Sequence, residues 1–213
     1  MNKINYQLLL DEEIGKITKE GVVPSLLLHS CCGPCSSYVI EYLSNYFNIT
    51  VFYYNPNIYP DEEYLQRVAE QKRFIMEFPT KYKVSFIEGD FDKASFYEIA
   101  KGYENEPERG ARCARCFDLR LKKTALKAKE LGFDYFTTTL TISPMKDAAL
   151  LNEIGQKLGD EIGVKWLFTD FKKKNGYKRS TEISKEYNMY RQDYCGCVFS
   201  YNERQKQKQN LED

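Results

Sequence analysis

The chain has 213 residues, 42% of them apolar and 29% charged, with 31 Lys+Arg against 31 Asp+Glu. That is enough apolar side chain for a packed core, which excludes a disordered chain, and the zero net charge excludes a non-specific polycation, though not a local basic patch. No apolar run approaches the ~20 residues that a bilayer-spanning helix needs. The opening residues MNKINYQLLLDEEIGK show no signal-type apolar stretch, so a cytoplasmic protein with no membrane partner is expected.

The length suits a single domain. We expect one α/β domain over residues 1–213, with a core at about 22–170 and a Cys-containing helical C-terminal extension over 171–213. The first strand is predicted at 25–29, since Pro24 excludes an earlier start. Cys31-Cys32-Gly33-Pro34-Cys35 follows and leads into a helix with Val39, Ile40, Leu43 and Phe47 at helical spacing. Pro34 suits the first turn, where its missing N–H costs nothing. A second strand is predicted at 49–54, closed by Asn55-Pro56-Asn57, and Asp61 is expected to cap a helix reaching about Phe78. A third strand covers 84–87 and ends at Gly89-Asp90; helical text surrounds 96–101, and 102–112 reads as a polar loop. A helix over 113–131 stops at Gly132. The fourth strand is predicted at 135–140, a helix at 145–158 ends at Gly159, and a fifth strand lies at 164–169. The tail from Glu203 to Asp213 reads as a frayed end.

Strands alternating with helices indicate a doubly wound parallel sheet. Ligands of such sheets gather at the carboxyl ends of the strands. The Cys31–Cys35 turn, Asn55-Pro56-Asn57, Gly89-Asp90 and Ile142-Ser143-Pro144 each follow a strand, so they are expected on one edge.

The seven cysteines are Cys31, Cys32, Cys35, Cys113, Cys116, Cys195 and Cys197, against a single histidine. An odd number without an export signal argues against a full disulfide framework. Clusters of the form C-C-x-x-C, C-x-x-C and C-x-C point instead to soft metals or redox chemistry. A four-cysteine zinc site or one [4Fe–4S] cluster would each leave three thiols over. Adjacent Cys31 and Cys32 are expected to point apart and so to serve two neighbouring centres. On that ground Cys32, Cys113, Cys116 and Cys195 are assigned to a four-thiolate cluster, and Cys31, Cys35 and Cys197 to a second metal. A second metal short of thiolates wants an oxygen ligand; Asp90 is the candidate, with Asp92 and Asp193 as rivals and a turn-capping role as its bland alternative. His29, ending a strand, reads as a hydrogen-bonded core residue rather than a ligand.

Lys172, Lys173, Lys174, Lys178 and Arg179 surround Tyr177. Such a patch suits RNA phosphates and an extruded base, or is a solvated loop. Arg112, Arg115 and Arg120 flank the second Cys pair and could face cluster sulfur or phosphate.

The segments HSCCGPCSSYVIEYL, YYNPNIYPDEEYLQR, EGDFD, RCARCFDLRL, TTTLTISPMKD and YCGCVFS, in this order, resemble epoxyqueuosine reductases of the QueH type. The resemblance covers about residues 26–200. It implies an ATP-pyrophosphatase-like (HUP-like) doubly wound fold and a [4Fe–4S] cluster with an adjacent iron ion, a place zinc could take on isolation. It further implies the last step of queuosine synthesis: reduction of the cyclopentane epoxide of a wobble nucleoside to the alkene, on tRNA. The partners implied are tRNA carrying epoxyqueuosine at the wobble position and an electron-donor protein. On this reading Cys31, Cys35, Cys197 and Asp90 hold the metal that takes the oxygen.

Two other classes are distinguishable. A tRNA thiolation enzyme of the ATP-pyrophosphatase type would carry a Ser-Gly-Gly phosphate loop where this chain has Ser30-Cys31-Cys32-Gly33-Pro34, which leaves fewer N–H groups for pyrophosphate. A zinc-stabilised RNA-binding module would not need three thiols beyond a four-cysteine site.

Overall fold

The computed structural model describes residues 4–212. The elements run in chain order as α1 (Tyr6–Glu20), β1 (Ser25–His29), α2 (Gly33–Leu43), β2 (Asn48–Tyr53), α3 (Asp61–Glu77), β3 (Val84–Glu88), α4 (Lys93–Ala100), α5 (Ala111–Leu131), β4 (Tyr135–Thr138), a 3-10 turn (Thr139–Ile142), α6 (Ala148–Ile162), β5 (Lys165–Trp166), α7 (Gly176–Glu186) and α8 (Val198–Glu212).

The strands form one parallel sheet in the order β3-β2-β1-β4-β5. The chain winds outward one way through β2 and β3, then crosses to β4 and β5. This is the doubly wound α/β arrangement, and its winding reverses between β1 and β4. A crevice opens there outside the carboxyl ends of the strands.

Strand β1 is central, and Leu26 through His29 are buried. Alternate side chains leave opposite faces of a strand. Leu26 and Leu28 therefore join the cluster of α1 and α2 (Leu10, Ile14, Ile17, Val39, Ile40), whereas Leu27 joins that of α5 and α6 (Phe117, Leu121, Leu151, Leu158). A strand buried on both faces reads as an unbroken apolar run, as SLLLH does.

Several boundaries depart from expectation. Helix α1 was not foreseen in the opening residues; its N-cap is Asn5, which accepts from the Leu8 N–H at 3.3 Å, and it stops at Gly21 with φ 68°. Asp61 is the first residue of α3 rather than its cap. Strand β4 stops at Thr138, where the Thr138 hydroxyl accepts from the Leu140 N–H and closes a 3-10 turn. Helix α6 starts at Ala148, capped by Asp147, and runs past Gly159 to Gly163. Gly159 is an interior contact: a Cβ there would sit 2.8 Å from the Val164 carbonyl. Strand β5 pairs over two residues only. The tail read as frayed is helix α8 to Glu212; Asp213 and Met1 to Lys3 lie outside the described residues. Among the described residues no helix is long and apolar enough to cross a membrane.

Candidate metal centre

All seven cysteines are free thiols; six of them line two adjoining cavities at the carboxyl edge of the sheet, and Cys32 lies against Cys31. The first, of about 430 Å³, is lined by Cys31, Cys35 and Cys195 together with Lys146 and Tyr177. The second is lined by Cys113, Cys116, Cys195 and Cys197, again with Lys146. Cys195 and Lys146 stand where the two meet.

The first thiol group sits in the turn between β1 and α2. The backbone bends at Cys31, and Cys32 is extended at φ −170° as the N-cap position of α2. This bend overturns the expectation that adjacent Cys31 and Cys32 point apart, since their sulfurs are 3.9 Å from each other. The Sγ atoms of Cys31, Cys32 and Cys35 all lie within 4.8 Å of one another. Neighbours hold the turn: Tyr53 donates its hydroxyl to the Cys31 carbonyl at 3.2 Å, and Asn55 its amide to the Ser30 carbonyl at 2.8 Å. Both come from the end of β2 and the turn after it, so sheet register fixes the thiols.

The second group joins α5 to the C-terminal extension. Cys113 and Cys116 share one face of the first turns of α5, as a spacing of three requires. Cys195 and Cys197 arrive on a turn docked against α3: the Gly196 carbonyl accepts from the Tyr59 N–H at 2.8 Å, and Arg67 reaches the Cys195 carbonyl at 3.4 Å. Gly196 has φ 128°, and a Cβ there would lie 3.0 Å from Arg67 Nη1, so this position requires glycine.

The spatial grouping therefore differs from the division argued from sequence. Cys32 lies with Cys31 and Cys35, and Cys197 shares the cavity of Cys113, Cys116 and Cys195. Asp90 is not brought to the thiols. Its carboxylate is 82% exposed and faces Lys123 at 3.7 Å, because β3 is the outer strand on its side of the sheet, with β2 between it and β1. Asp92 is the N-cap of α4, and Asp193 pairs with Arg204 and Lys208. His29 is a buried core residue as expected. Its Nε2–H donates to the Tyr54 carbonyl at 3.2 Å and its Nδ1 accepts from the Thr138 hydroxyl at 2.9 Å; burial first, then the nearby Arg120 charge, hold its pKa down to about 3.

The electrostatics divide the thiols: Cys31 is shifted toward the thiolate, whereas Cys32, Cys35, Cys113 and Cys116 are shifted away from it. Within the triad, hydrogen bonds from the Cys32 and Cys35 thiols lower the Cys31 pKa far below the ordinary thiol value, and that interaction pushes Cys32 up to about 12. Burial pushes Cys116 up to about 12 and raises Cys113, while Arg120 works against it at Cys116. Arg120 is 3% exposed and forms no ion pair with an acid among the described residues; its guanidinium donates to Asn55 Oδ1 at 3.3 Å and to the Cys116 carbonyl at 3.3 Å. A buried cation without a carboxylate wants another anion, and the sulfurs of Cys116 and Cys31, then of Cys195 and Cys113, favour its charge. Burial opposes the Lys146 ammonium, and Cys195, Cys31 and Cys35 outweigh that opposition.

The donor set suits metal. Tetrahedral thiolates on a single ion stand ~3.8 Å apart for a metal–sulfur bond of ~2.3 Å, and the triad is near that spacing. The other four thiols are not drawn together so closely, as the thiolates of a multi-iron cluster would not be.

Other singled-out residues are structural. Arg112 donates to the carbonyls of Tyr103, Glu104 and Glu106 at 2.6–3.0 Å and pins the loop before α5. Arg115 stacks over Tyr103. The basic patch is largely neutralised, with Lys172 on Asp170, Lys174 on Asp11 and Arg179 on Glu41 and Glu186. Asn55, expected on the ligand edge as part of Asn55-Pro56-Asn57, is there; the sequence did not single out Lys146, Arg67 or Gln192. Lys146 could have been flagged by its place just after Ile142-Ser143-Pro144; nothing local marks Arg67, a mid-helix residue.

The fold and site thus define a doubly wound α/β protein whose thiol-lined crevice, at the topological switch point, includes a cysteine triad that could hold a metal ion. Residues 26–203 match the family described as epoxyqueuosine reductase QueH. The chain is 46% identical over 93% of its length to the epoxyqueuosine reductase QueH of Streptococcus pyogenes, covering 78% of that protein. It is 45% identical over 93% of its length to that of Staphylococcus epidermidis, covering 85%, and 33% identical over 85% to that of Thermotoga maritima, covering 93%. The chain belongs to the epoxyqueuosine reductase QueH family and is an oxidoreductase.

Proposed function

We propose that this chain reduces the epoxide of epoxyqueuosine in tRNA to the alkene, using metal held by its seven thiols. The observation that carries the reading is the convergence of three distant cysteine segments on two adjoining cavities that share Cys195 and Lys146. The reaction consumes two electrons and two protons per epoxide, breaks both C–O bonds and releases the oxygen as water. When bound, a [4Fe–4S] cluster would supply electrons singly and a second iron a Lewis acid for the oxygen.

Cys113, Cys116, Cys195 and Cys197 would hold the cluster, and Cys31, Cys32 and Cys35 the second metal. The spatial grouping supports this division over the one read from sequence. Asp90 is not carried into the proposal, being exposed and turned to Lys123. The larger cavity admits the modified nucleoside, and Tyr177 at its rim offers a ring for a base extruded from the anticodon loop. Lys146 holds its proton at Nζ beside both thiol groups, where it would stabilise charge developing on the departing oxygen. Arg120 balances thiolate charge from the protein side. Electrons come from a separate donor protein.

Anaerobically prepared protein, assayed for iron and sulfide and then incubated with epoxyqueuosine-tRNA and a strong reductant, tests the proposal by nucleoside mass analysis. Appearance of queuosine supports it. A colourless protein that binds zinc alone and leaves the epoxide intact would point instead to a zinc-stabilised RNA-binding module, for which the tight triad is also suited.

A further inference from the structure

We infer that Gln192 is a positioning residue of the metal centre: its side-chain N–H donates to the Cys32 sulfur and withdraws electron density from that ligand. Nε2 of Gln192 lies 3.0 Å from Cys32 Sγ. The residue comes from the segment between α7 and α8, far in sequence from Cys32, and lines the same cavity as Cys31, Cys35 and Lys146. The segment is independently seated: Met189 packs against Gly33, where an added Cβ would meet its methyl at 2.6 Å, and the Tyr190 hydroxyl donates to Glu63 at 2.6 Å. The carboxamide is therefore delivered to the sulfur by a segment whose residues two and three positions earlier are packed in place.

The orientation follows from chemistry. A metal-bound thiolate only accepts, so the N–H end of the amide must face it. The cost is visible at the other end, where Gln192 Oε1 is buried without a partner among the described residues. An amide that leaves its oxygen unpaired while its nitrogen contacts sulfur is held by that sulfur.

Two other sulfurs receive N–H bonds, Cys113 from the Arg109 backbone at 3.3 Å and Cys197 from the Ser200 backbone at 3.5 Å. Gln192 differs in using a side chain, so substitution can remove its bond without touching the backbone. Hydrogen bonds to ligand sulfur favour the reduced, more negative state of the metal.

The inference rests on ligation by Cys32, and its test separates that premise from redox turnover. Cobalt(II) is loaded into the full-length protein, and the thiolate-to-metal charge-transfer band due to Cys32 is identified as the part lost in Cys32→Ser. Gln192→Met keeps the bulk and lacks the donor; Gln192→Glu sets a carboxylate against the sulfur. Both should move that band to longer wavelength, Gln192→Glu further, and in iron-loaded protein both should shift the midpoint potential negative at unchanged iron and sulfide content. If Gln192→Met binds cobalt poorly, Gln192→Asn, too short to reach Cys32, is measured under excess cobalt and should show the same displacement. A band and potential that stay at wild-type positions overturn the inference. A wild-type protein with no such band overturns it together with ligation by the triad, whereas a shifted band in a protein inactive toward epoxyqueuosine-tRNA would leave it standing and count only against the proposed reaction.

Discussion

Arg67 and Glu63 form an ion pair at 2.6 Å with side chains only 1% and 8% exposed, directly beneath the turn that carries Cys195 and Cys197. One turn of α3 separates them. The same guanidinium reaches the Cys195 carbonyl and lies 5.5 Å from the Tyr194 ring. A structural ion pair thus supports the second thiol group from below.

Removing one partner of a buried pair leaves the other charge stranded, at about 3–5 kcal/mol. Arg67→Met should lower unfolding stability by that order, and should release the Cys195–Cys197 turn and so reduce iron content. Urea denaturation with metal analysis reads both. The double variant Arg67→Met, Glu63→Leu should regain much of the stability without regaining iron. Full iron retention in Arg67→Met would show that the turn does not depend on this residue.

Arg120 makes the opposite kind of expectation. In metal-free protein its charge has no carboxylate partner among the described residues and is met chiefly by the Cys116 and Cys31 sulfurs, so Arg120→Met should cost little thermal stability. In metal-loaded protein the charge offsets anionic sulfur, so the same substitution should reduce metal retention during dialysis against a chelator. Melting temperatures of the two forms decide; a loss confined to the metal-free form would contradict this account.

Gly155 lies against the only tryptophan. A Cβ at this position would sit 2.3 Å from the Trp166 ring, whose Nε1–H is fixed on Asn152 Oδ1 at 3.0 Å. Gly155→Ala should therefore force α6 off β5 and destabilise by about 1–3 kcal/mol, the usual range for overpacking. Thermal melts followed by Trp166 fluorescence report the loss and the displaced ring together.

Helix α1 is tied to the sheet through Glu13, which accepts from Lys165 Nζ at 2.6 Å and from the Tyr135 hydroxyl. Burial alone would raise the Glu13 pKa, but the hydrogen bonds from Lys165 and Tyr135 prevail and lower it below the usual carboxylate value. A depressed folded-state pKa stabilises above the unfolded-state value, and that stabilisation disappears as pH falls through the folded-state value. Lys165 is half exposed, so the contribution is below about 1 kcal/mol. Glu13→Gln should be less stable than wild type at neutral pH and equal to it in acid well below pH 4. A constant difference across that range would remove the charge from the explanation.

The local readings that succeeded rest on short-range physics. SLLLH is a buried strand because apolar side chains run without a break, and Gly132 ends α5 because it adopts φ 71°, which favours glycine. The readings that failed concern contacts between distant segments. Gly159 looked like a helix stop, yet it is an interior position where α6 meets the chain near Val164. The acidic candidate Asp90 follows a strand, as expected of a ligand, but that strand is the outer one of its side.

The sequence by itself determined that the chain alternates strands and helices, that its cysteines fall in three groups after or beside those elements, and which family it resembles, since each is written in patterns a few residues long. Only the tertiary structure decided which thiols are neighbours. A bend of one residue at Cys31 turns two adjacent side chains together, and the docking of the Cys195–Cys197 turn on Arg67 and Tyr59 sets one group beside the other. Such proximities depend on packing across more than a hundred residues, and no local propensity encodes them.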